Sequence, residues 1–176
     1  MARHRLGIVL LLPEPWATEV DGLRRALGDE ALARIPSHLT LVPPVNVRED
    51  ALAEAFDLVH AVGGACPPLA LHLGPVATFA PVNPVAYLAA SGDPATMARL
   101  ARLSDDLHAG PLERPRDHPF VPHVTVASEL SAERLASSVA VLADYGIDLT
   151  FDRVHVLAEQ PGRVWVPVAD APLGRG

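Results

Sequence analysis

With 176 residues, 49% of them hydrophobic, the chain suits one domain or two small lobes that share a core. Its net charge of −7 argues against a long nonspecific nucleic-acid footprint, which needs many cations along one face. All 14 basic residues are arginine, and the absence of lysine excludes Walker-type phosphate loops, Schiff-base enzymes and ligases that work through a lysyl adenylate.

The cysteine count and the N-terminus indicate a reducing compartment. Cys66 is the single cysteine, so neither an internal disulfide nor a cysteine-rich zinc site is available. The apolar run from Leu6 to Leu12 follows two arginines, but it is short and ends at Pro13, which favours a first strand over a signal peptide. We therefore expect a soluble, cytoplasmic monomer without a membrane span.

The first half of the chain predicts strand, helix, strand, helix and strand. Helical spacing of apolar residues predicts the two helices, and Gly28 and the Gly63-Gly64 pair are expected to end them. Pro43-Pro44 is expected to end the second strand, because proline cannot donate a ladder hydrogen bond. Gly74-Pro75 predicts a bulge in the third strand. The predicted ranges are 6–12, 17–27, 38–41, 49–62 and 69–79.

After a turn predicted at 81–84, the same order of elements begins again. Asp93 before Pro94 predicts a helix start, since aspartate is a good N-cap and proline suits the first turn. The last two strands are expected to form a hairpin around Pro161-Gly162. The predicted ranges are strand 85–90, helix 94–110, strand 123–126, helix 131–146, and strands 147–157 and 163–168.

Two tetrads share the pattern His-apolar-Thr-apolar: His38-Leu39-Thr40-Leu41 and His123-Val124-Thr125-Val126. Successive side chains of a strand point to opposite faces, so each tetrad places an imidazole and a hydroxyl on one face and two aliphatic groups on the other. Roughly 0.06 such tetrads are expected by chance in this composition. One copy would indicate a buried histidine beside a threonine of high strand propensity, whereas two copies indicate a site.

The repeated order of elements indicates an internal duplication, with the two histidines 85 positions apart. It predicts a bilobal α+β fold of duplicated β-α-β-α-β units, with antiparallel sheets flanking a central cleft. We expect residues 1–176 to form one domain of two pseudo-symmetric lobes, with sequence halves of about 1–82 and 83–176. Both His-Thr pairs would then converge on one ligand.

Further motifs surround the tetrads: Phe120-Val121-Pro122 precedes the second, Ile35-Pro36-Ser37 precedes the first, and Gly7 to Leu11 opens the chain. With these features the sequence resembles the two-histidine (2H) phosphoesterases, which include the 2′-5′ RNA ligase-like and cyclic phosphodiesterase proteins. The resemblance implies a bilobal α+β fold, no metal, and chemistry on 2′,3′-cyclic phosphates, 2′-5′ linkages or related phosphoesters. It also implies that His38 and His123 are the acid/base pair and that Thr40 and Thr125 hold the phosphate.

The chemistry is consistent with these residues without reference to a family. Opening a cyclic phosphodiester in line needs a base on the attacking water and an acid on the departing ribose oxygen, on opposite sides of phosphorus. Imidazole is present in both protonation states near neutral pH, and the reverse reaction would join ends. Threonine hydroxyls can donate to the non-bridging oxygens, where charge develops. No nucleotide cofactor is required.

Five further residues are candidates for substrate contact. The 2′-5′ RNA ligase branch has a basic residue just after the second tetrad, and here Ser128-Glu129 occupies that place. The loop before the tetrad offers positive charge instead, and two aromatic side chains are able to stack a base, although a solvated loop and a packed core are the alternatives. The expected partner is a small nucleotide or an RNA-end phosphoester. The candidates are Arg114, Arg116, His118, Phe120 and Trp165.

Other functions remain as alternatives. A non-catalytic module would bind a nucleotide or RNA end in the same cleft, and a purely structural protein would hold the two histidines far apart. A metal site would need a third ligand from His72, His118 or His155, and threonine is a poor zinc ligand. We expect a phosphoesterase without a metal site.

Overall fold

The computed structural model describes residues 2–174 and confirms the α+β class. Within these residues four α-helices pack on one curled sheet of eight strands, in which every pairing is antiparallel. The strands are β1 (Arg3–Leu11), β2 (His38–Arg48), β3 (Leu69–Phe79), β4 (Asn83–Ser91), β5 (His123–Ala127), β6 (Ile147–Phe151), β7 (Arg153–Gln160) and β8 (Val164–Pro172). The helices are α1 (Trp16–Leu27), α2 (Leu52–Gly64), α3 (Pro94–Leu107) and α4 (Ala132–Val141).

The strand order explains how the two halves of the chain combine. The order is β6-β3-β4-β5-β2-β1-β7-β8, and the junction between β5 and β2 has one registered pair, Leu39 with Val124. Two four-stranded parts therefore meet at the strands that carry the tetrads. The third strand of the first half, β3, pairs with β4 of the second half, and β7 pairs with β1. Each sequence half therefore contributes strands to the sheet part that contains the tetrad of the other half, and the division into two lobes at about 1–82 and 83–176 stays a prediction.

The predicted helix signals act where the sequence places them. Gly28 has φ of 75° and ends α1 in the left-handed region that favours glycine. Asp93 caps α3, since its carboxylate accepts a hydrogen bond of 2.9 Å from the Thr96 N–H. The second helix begins one turn later than expected, because 49–51 form a 3₁₀ turn before α2.

The expectation that Pro43-Pro44 ends the second strand is wrong, since β2 continues to Arg48. The prolines lie where the β1–β2 register shifts, between the pair Leu6–Val45 and the pair Ile8–Val42. A bulge leaves residues without a ladder partner, so the missing proline N–H groups cost no hydrogen bond there. The bulge predicted at Gly74-Pro75 is confirmed by the register shift between Leu73 and Val76.

Two predicted elements near the C-terminus are also corrected. The strand predicted at 147–157 is divided at Asp152 into β6, which pairs with β3, and β7, which pairs with β1. The helix predicted at 131–146 ends at Val141, and the following segment packs on the bulge of β3. There Gly74 has φ of 136°, and a Cβ on it would lie 2.3 Å from the Tyr145 carbonyl oxygen. This close approach needs non-helical backbone at Tyr145 and glycine at position 74.

The core lies between the helices and one face of the sheet. Leu39, Leu41, Val124 and Val126 are at most 1% exposed within it, as the alternation in the tetrads predicts. The opposite face of the sheet, called here the open face, carries the histidines and threonines. No helix within residues 2–174 is long and apolar enough to cross a membrane.

Candidate active site

The fold brings the two tetrads together on adjacent central strands. Leu39 of β2 pairs with Val124 of β5, and in an antiparallel ladder the residues on either side of such a pair also face each other. His38 therefore lies across from Thr125, and Thr40 lies across from His123. Directly opposite Cβ atoms are about 4.5–5.5 Å apart and diagonal ones roughly 7–8 Å, which is the separation expected for the two histidines.

Both imidazoles are held by the same backbone contact. His38 Nδ1–H donates to the Pro36 carbonyl at 2.7 Å, and His123 Nδ1–H donates to the Val121 carbonyl at 2.7 Å. Each acceptor stands two residues before its histidine. A carbonyl oxygen only accepts, so the contact fixes the proton of the neutral ring on Nδ1 and leaves Nε2 as the reactive nitrogen. The duplication is thus preserved at the level of single hydrogen bonds.

The residues just before the histidines repeat a second contact. The Ser37 carbonyl accepts a 3.1 Å bond from Leu12 N–H, and the Pro122 carbonyl accepts a 3.1 Å bond from Ala90 N–H. Leu12 follows β1 and Ala90 lies in β4, which are the first strands of the two chain halves. Each tetrad is therefore anchored to the leading strand of its own half.

Burial lowers the pKa of both histidines below the ordinary value of 6.5. The carbonyl contacts oppose this effect, because a hydrogen bond accepted from the ring favours the charged form. The pKa of His38 is lowered further by the positive charges of Arg24 and His123.

A buried network supports the segment that leads into His38. Arg24 of α1 is 2% exposed and donates from Nε to Asp29 at 2.8 Å. Its Nη1 donates to the Ile35 carbonyl at 2.9 Å and to Ser37 Oγ at 3.1 Å. The Ser37 hydroxyl donates in turn to Asp21 at 2.7 Å. The residue before the histidine is thereby fixed through both its carbonyl and its side chain.

Two aromatic residues beside His123 were missed by the sequence analysis. The Phe79 and Tyr87 rings stack with centroids 4.1 Å apart. Both meet the His123 ring edge-on, at centroid distances of 5.0 and 5.2 Å. Tyr87 of β4 pairs with Thr125 of β5, and this pairing places the Tyr87 side chain on the open face. Aromatic residues on strands are usually core, so only the pairing of β4 with the tetrad strand reveals this position.

The hydrogen bonds of the two predicted loop arginines go to residues outside the tetrads. Arg114 donates from Nη1 to the Pro44 carbonyl at 2.8 Å. Arg116 forms an ion pair with Asp105 and donates to Ser104 Oγ at 3.2 Å, so it is bound to α3. His118 is exposed, and Phe120 packs against the core. Their involvement with a substrate stays a prediction.

Trp165 lies on the open face. Its partner across β7–β8 is Glu159, whose side chain forms an ion pair with Arg5 of β1 at 3.4 Å. The half-buried indole lies against Gly7, since a Cβ there would lie 3.6 Å from its Cζ3. Its backbone N–H donates to the Arg34 carbonyl at 2.7 Å. A role in stacking a base stays a prediction.

Two further histidines of the open face were considered as metal ligands. His155 pairs with Val9, which pairs with Thr40, and its buried Nδ1 has no hydrogen-bond partner. His72 donates from Nδ1 to Asp148 at 2.8 Å. Between residues 2 and 174 no group of three or more His, Cys, Asp or Glu side chains is arranged to hold a metal ion.

Most of the chain matches a known protein family. A model described as the 2′-5′ RNA ligase superfamily matches residues 12–163, which include both tetrads. The chain belongs to the 2′-5′ RNA ligase superfamily. Curated relatives extend the match to nearly the full length: proteins named as candidate phosphoesterases from Bacillus cereus (strain G9842) and Bacillus cytotoxicus are 30% and 32% identical over 174 residues, covering 98% of this chain and of each relative.

Two solved structures share the architecture of this chain. The apo form of Escherichia coli LigT has a TM-score of 0.65 at 18% identity and covers 99% of this chain and 100% of LigT. The TT0787 protein of Thermus thermophilus has a TM-score of 0.69 at 18% identity, with 97% and 98% of the two chains covered. At these identities the likeness establishes the fold.

Proposed function

We propose that this member of the superfamily is a metal-independent phosphoesterase that opens 2′,3′-cyclic phosphates or acts on 2′-5′ phosphodiester linkages. The proposal is carried by one observation: both histidines stand on paired strands of the open face, and each is bound through Nδ1 to a carbonyl, which leaves Nε2 as the reactive nitrogen of each ring. Such an arrangement suits a reaction that needs a base and an acid at one phosphorus atom.

Ring opening divides into two proton movements. One neutral imidazole takes a proton from water at Nε2 while the water oxygen forms a bond to phosphorus. The bond from phosphorus to a ribose oxygen breaks, and the other imidazole, protonated at Nε2, gives its proton to that oxygen. The products are a phosphate monoester and a histidine pair with exchanged protonation. Attack by a ribose hydroxyl in place of water opens the same cyclic phosphate and joins two ends through a phosphodiester, and the reverse of that step is cleavage of a 2′-5′ linkage to a cyclic phosphate and a free hydroxyl.

The threonines are the proposed phosphate ligands. Each lies across from the histidine of the other tetrad, and no hydrogen bond in residues 2–174 engages the side-chain oxygen of Thr40 or Thr125. Hydroxyl donors aimed at the non-bridging oxygens stabilise the charge that develops there. LigT, which shares the fold, has been solved with phosphate, 3′-AMP, ATP and NADP+, ligands that all carry a phosphate.

The proposal is tested by incubating the protein with adenosine 2′,3′-cyclic phosphate and following the monoester product. We expect turnover that persists in EDTA and falls in His38→Ala and His123→Ala. Tight binding without product in the wild type would instead favour a nucleotide-binding or RNA-end-binding module. Loss of turnover in EDTA with recovery on added zinc would contradict the metal-independent mechanism.

A further inference from the structure

A second candidate binding region lies on the same open face, beyond the tetrads. It is a pocket of about 430 Å³. Arg5 shares a face of β1 with Gly7 and Val9, because side chains alternate along a strand, and Val9 pairs with Thr40. The pocket therefore continues the surface that carries the site. Its lining residues are Arg5, Ala31, Arg34, Ile35, Pro44, Glu159, Arg163 and Trp165.

The pocket is positive in a chain that is acidic overall. Three arginines line it, and one carboxylate, Glu159, forms an ion pair with Arg5. No ion pair within residues 2–174 involves Arg34 or Arg163. Two guanidinium groups thus remain without a carboxylate partner in one concave region. Guanidinium binds phosphate oxygens with two parallel donors, so an anion of this kind is the ligand that the pocket suits.

Trp165 adds a flat apolar surface to these charges. Its indole is half-buried against Gly7, and its backbone N–H holds the Arg34 carbonyl, so the ring and the Arg34 segment are fixed to each other. Stacking on an aromatic side chain contributes about 1–3 kcal/mol per base in single-stranded nucleic-acid sites. A pocket that offers an aromatic ring beside guanidinium groups suits a nucleotide, whose base stacks on the ring and whose phosphate binds the guanidinium groups.

The distance between the pocket and the tetrads suits an extended ligand that spans both. Gly7 is two residues and Arg5 four residues along β1 from Val9, the partner of Thr40, which corresponds to about 7 and 13 Å at the rise of a strand. A base attached to the reacting ribose is long enough to span the distance to Gly7, against which the Trp165 ring lies, and Arg5 of the same pocket lies further along the strand.

We propose that the Arg34–Arg163 pocket binds a second phosphate, so that the preferred substrate is a nucleotide that carries one phosphate at the histidines and another on the far side of its ribose. The inference rests on the proposed function and specifies its substrate class. Two sources supply that chemistry: the 5′-phosphate of a single nucleotide and the internucleotide phosphodiester of an RNA end.

The test compares three substrates that share the same reacting group. They are adenosine 2′,3′-cyclic phosphate with a free 5′-hydroxyl, the same compound with a 5′-phosphate, and a diadenosine dinucleotide that ends in a 2′,3′-cyclic phosphate. We expect the second phosphate to raise kcat/KM about tenfold or more, because hydrogen bonds between charged groups are strong. A preference for the 5′-phosphate identifies a mononucleotide substrate, and a preference for the dinucleotide identifies an RNA end.

Variants assign the preference to the pocket. Arg34→Gln and Arg163→Gln should each remove most of that gain while leaving kcat/KM for the 5′-hydroxyl compound within about twofold. Arg102→Gln is the matched control, since Arg102 is 82% exposed on α3 and pairs with Asp106. Equal losses on all three substrates, or a wild type without preference, would overturn the second phosphate site.

A binding measurement separates this inference from the proposed function. Titration calorimetry with adenosine 3′,5′-bisphosphate and adenosine 3′-monophosphate needs no turnover. Tighter binding of the bisphosphate, lost in Arg34→Gln and kept in Arg102→Gln, would support the pocket even if no cyclic phosphate were opened. Equal affinity for the two ligands in a protein that turns over cyclic phosphate would overturn the pocket and leave the phosphoesterase intact.

Discussion

His38 and His123 make the same contact with the backbone, yet their surroundings differ. Each donates from Nδ1 to a carbonyl two residues earlier at 2.7 Å. Around His38 lie the buried Arg24 network and two positive groups that lower its pKa. Around His123 lie the stacked rings of Phe79 and Tyr87, and no cationic side chain lowers its pKa in the described part of the chain.

The two histidines therefore share the contact that orients the ring and differ in the groups that surround it. The shared carbonyl contact sets the reactive nitrogen, whereas the surroundings set how readily each ring takes a proton. Because Arg24 opposes a positive charge on His38, we propose that His38 is the base, working in the neutral form, and that His123 is the acid.

The largest expected effect comes from removing either ring. His38→Ala and His123→Ala should each lower kcat for a cyclic phosphate by roughly 10²–10⁴-fold, because each removes one proton transfer. The double variant should be little worse than either single variant, since residues that act as a unit are not additive. His60→Ala, on the exposed side of α2, is a suitable control. Additive losses in steady-state kinetics would show that the two rings act separately.

Arg24→Met tests whether the buried network supports the segment before His38. The variant should lower the free energy of unfolding by about 3–5 kcal/mol, because Asp29 is left buried without its partner. The free energy of unfolding is measured by denaturant titration. The neighbouring exposed Arg25→Met serves as the control and should stay close to the wild type. If the two variants were equally stable, the buried network would not hold the segment before His38.

The phosphate contacts should have a smaller effect. Thr40→Val and Thr125→Val keep the branched shape and remove a hydroxyl donor, so each should lower kcat/KM by about tenfold. Thr18→Val on the exposed side of α1 is the matched control. A loss in one threonine variant and none in the other would show that the duplicated threonines are not equivalent.

The pH dependence should show the lowered pKa values directly. The base acts above its pKa and the acid below its pKa, so lowering both moves the maximum of kcat/KM below the ordinary histidine value of 6.5. A bound phosphate favours imidazolium, so the maximum of kcat should lie at higher pH than that of kcat/KM. A kcat/KM maximum well above pH 7 would contradict the effect of burial.

Local sequence patterns predicted the buried and open faces of the tetrads, the helix caps and the bulge at Gly74. Each of these features depends on neighbouring residues. The split at Asp152 was also visible in principle, since buried positions change from Ile147, Leu149 and Phe151 to Val154 and Val156. The alternation shifts there by one residue, as it must when a chain passes from one strand to another.

Features that depend on distant residues were not predictable in the same way. Continuation of β2 through its prolines depends on the β1 register, and the exchange of β3 and β7 depends on how the two halves pack. Phe79 and Tyr87 reach His123 only through the pairing of β4 with β5. Periodicity gives the face of each side chain on its own strand but not the neighbours that the sheet supplies.

The most direct measurement of the paired mechanism compares leaving groups. Aryl phosphodiesters that release nitrophenolate or phenolate differ in the need for protonation by the acid. We predict that His123→Ala recovers most activity on the nitrophenyl diester and little on the phenyl diester, whereas His38→Ala remains slow on both. Equal recovery of both variants, or recovery of neither, would contradict acid and base roles for His123 and His38.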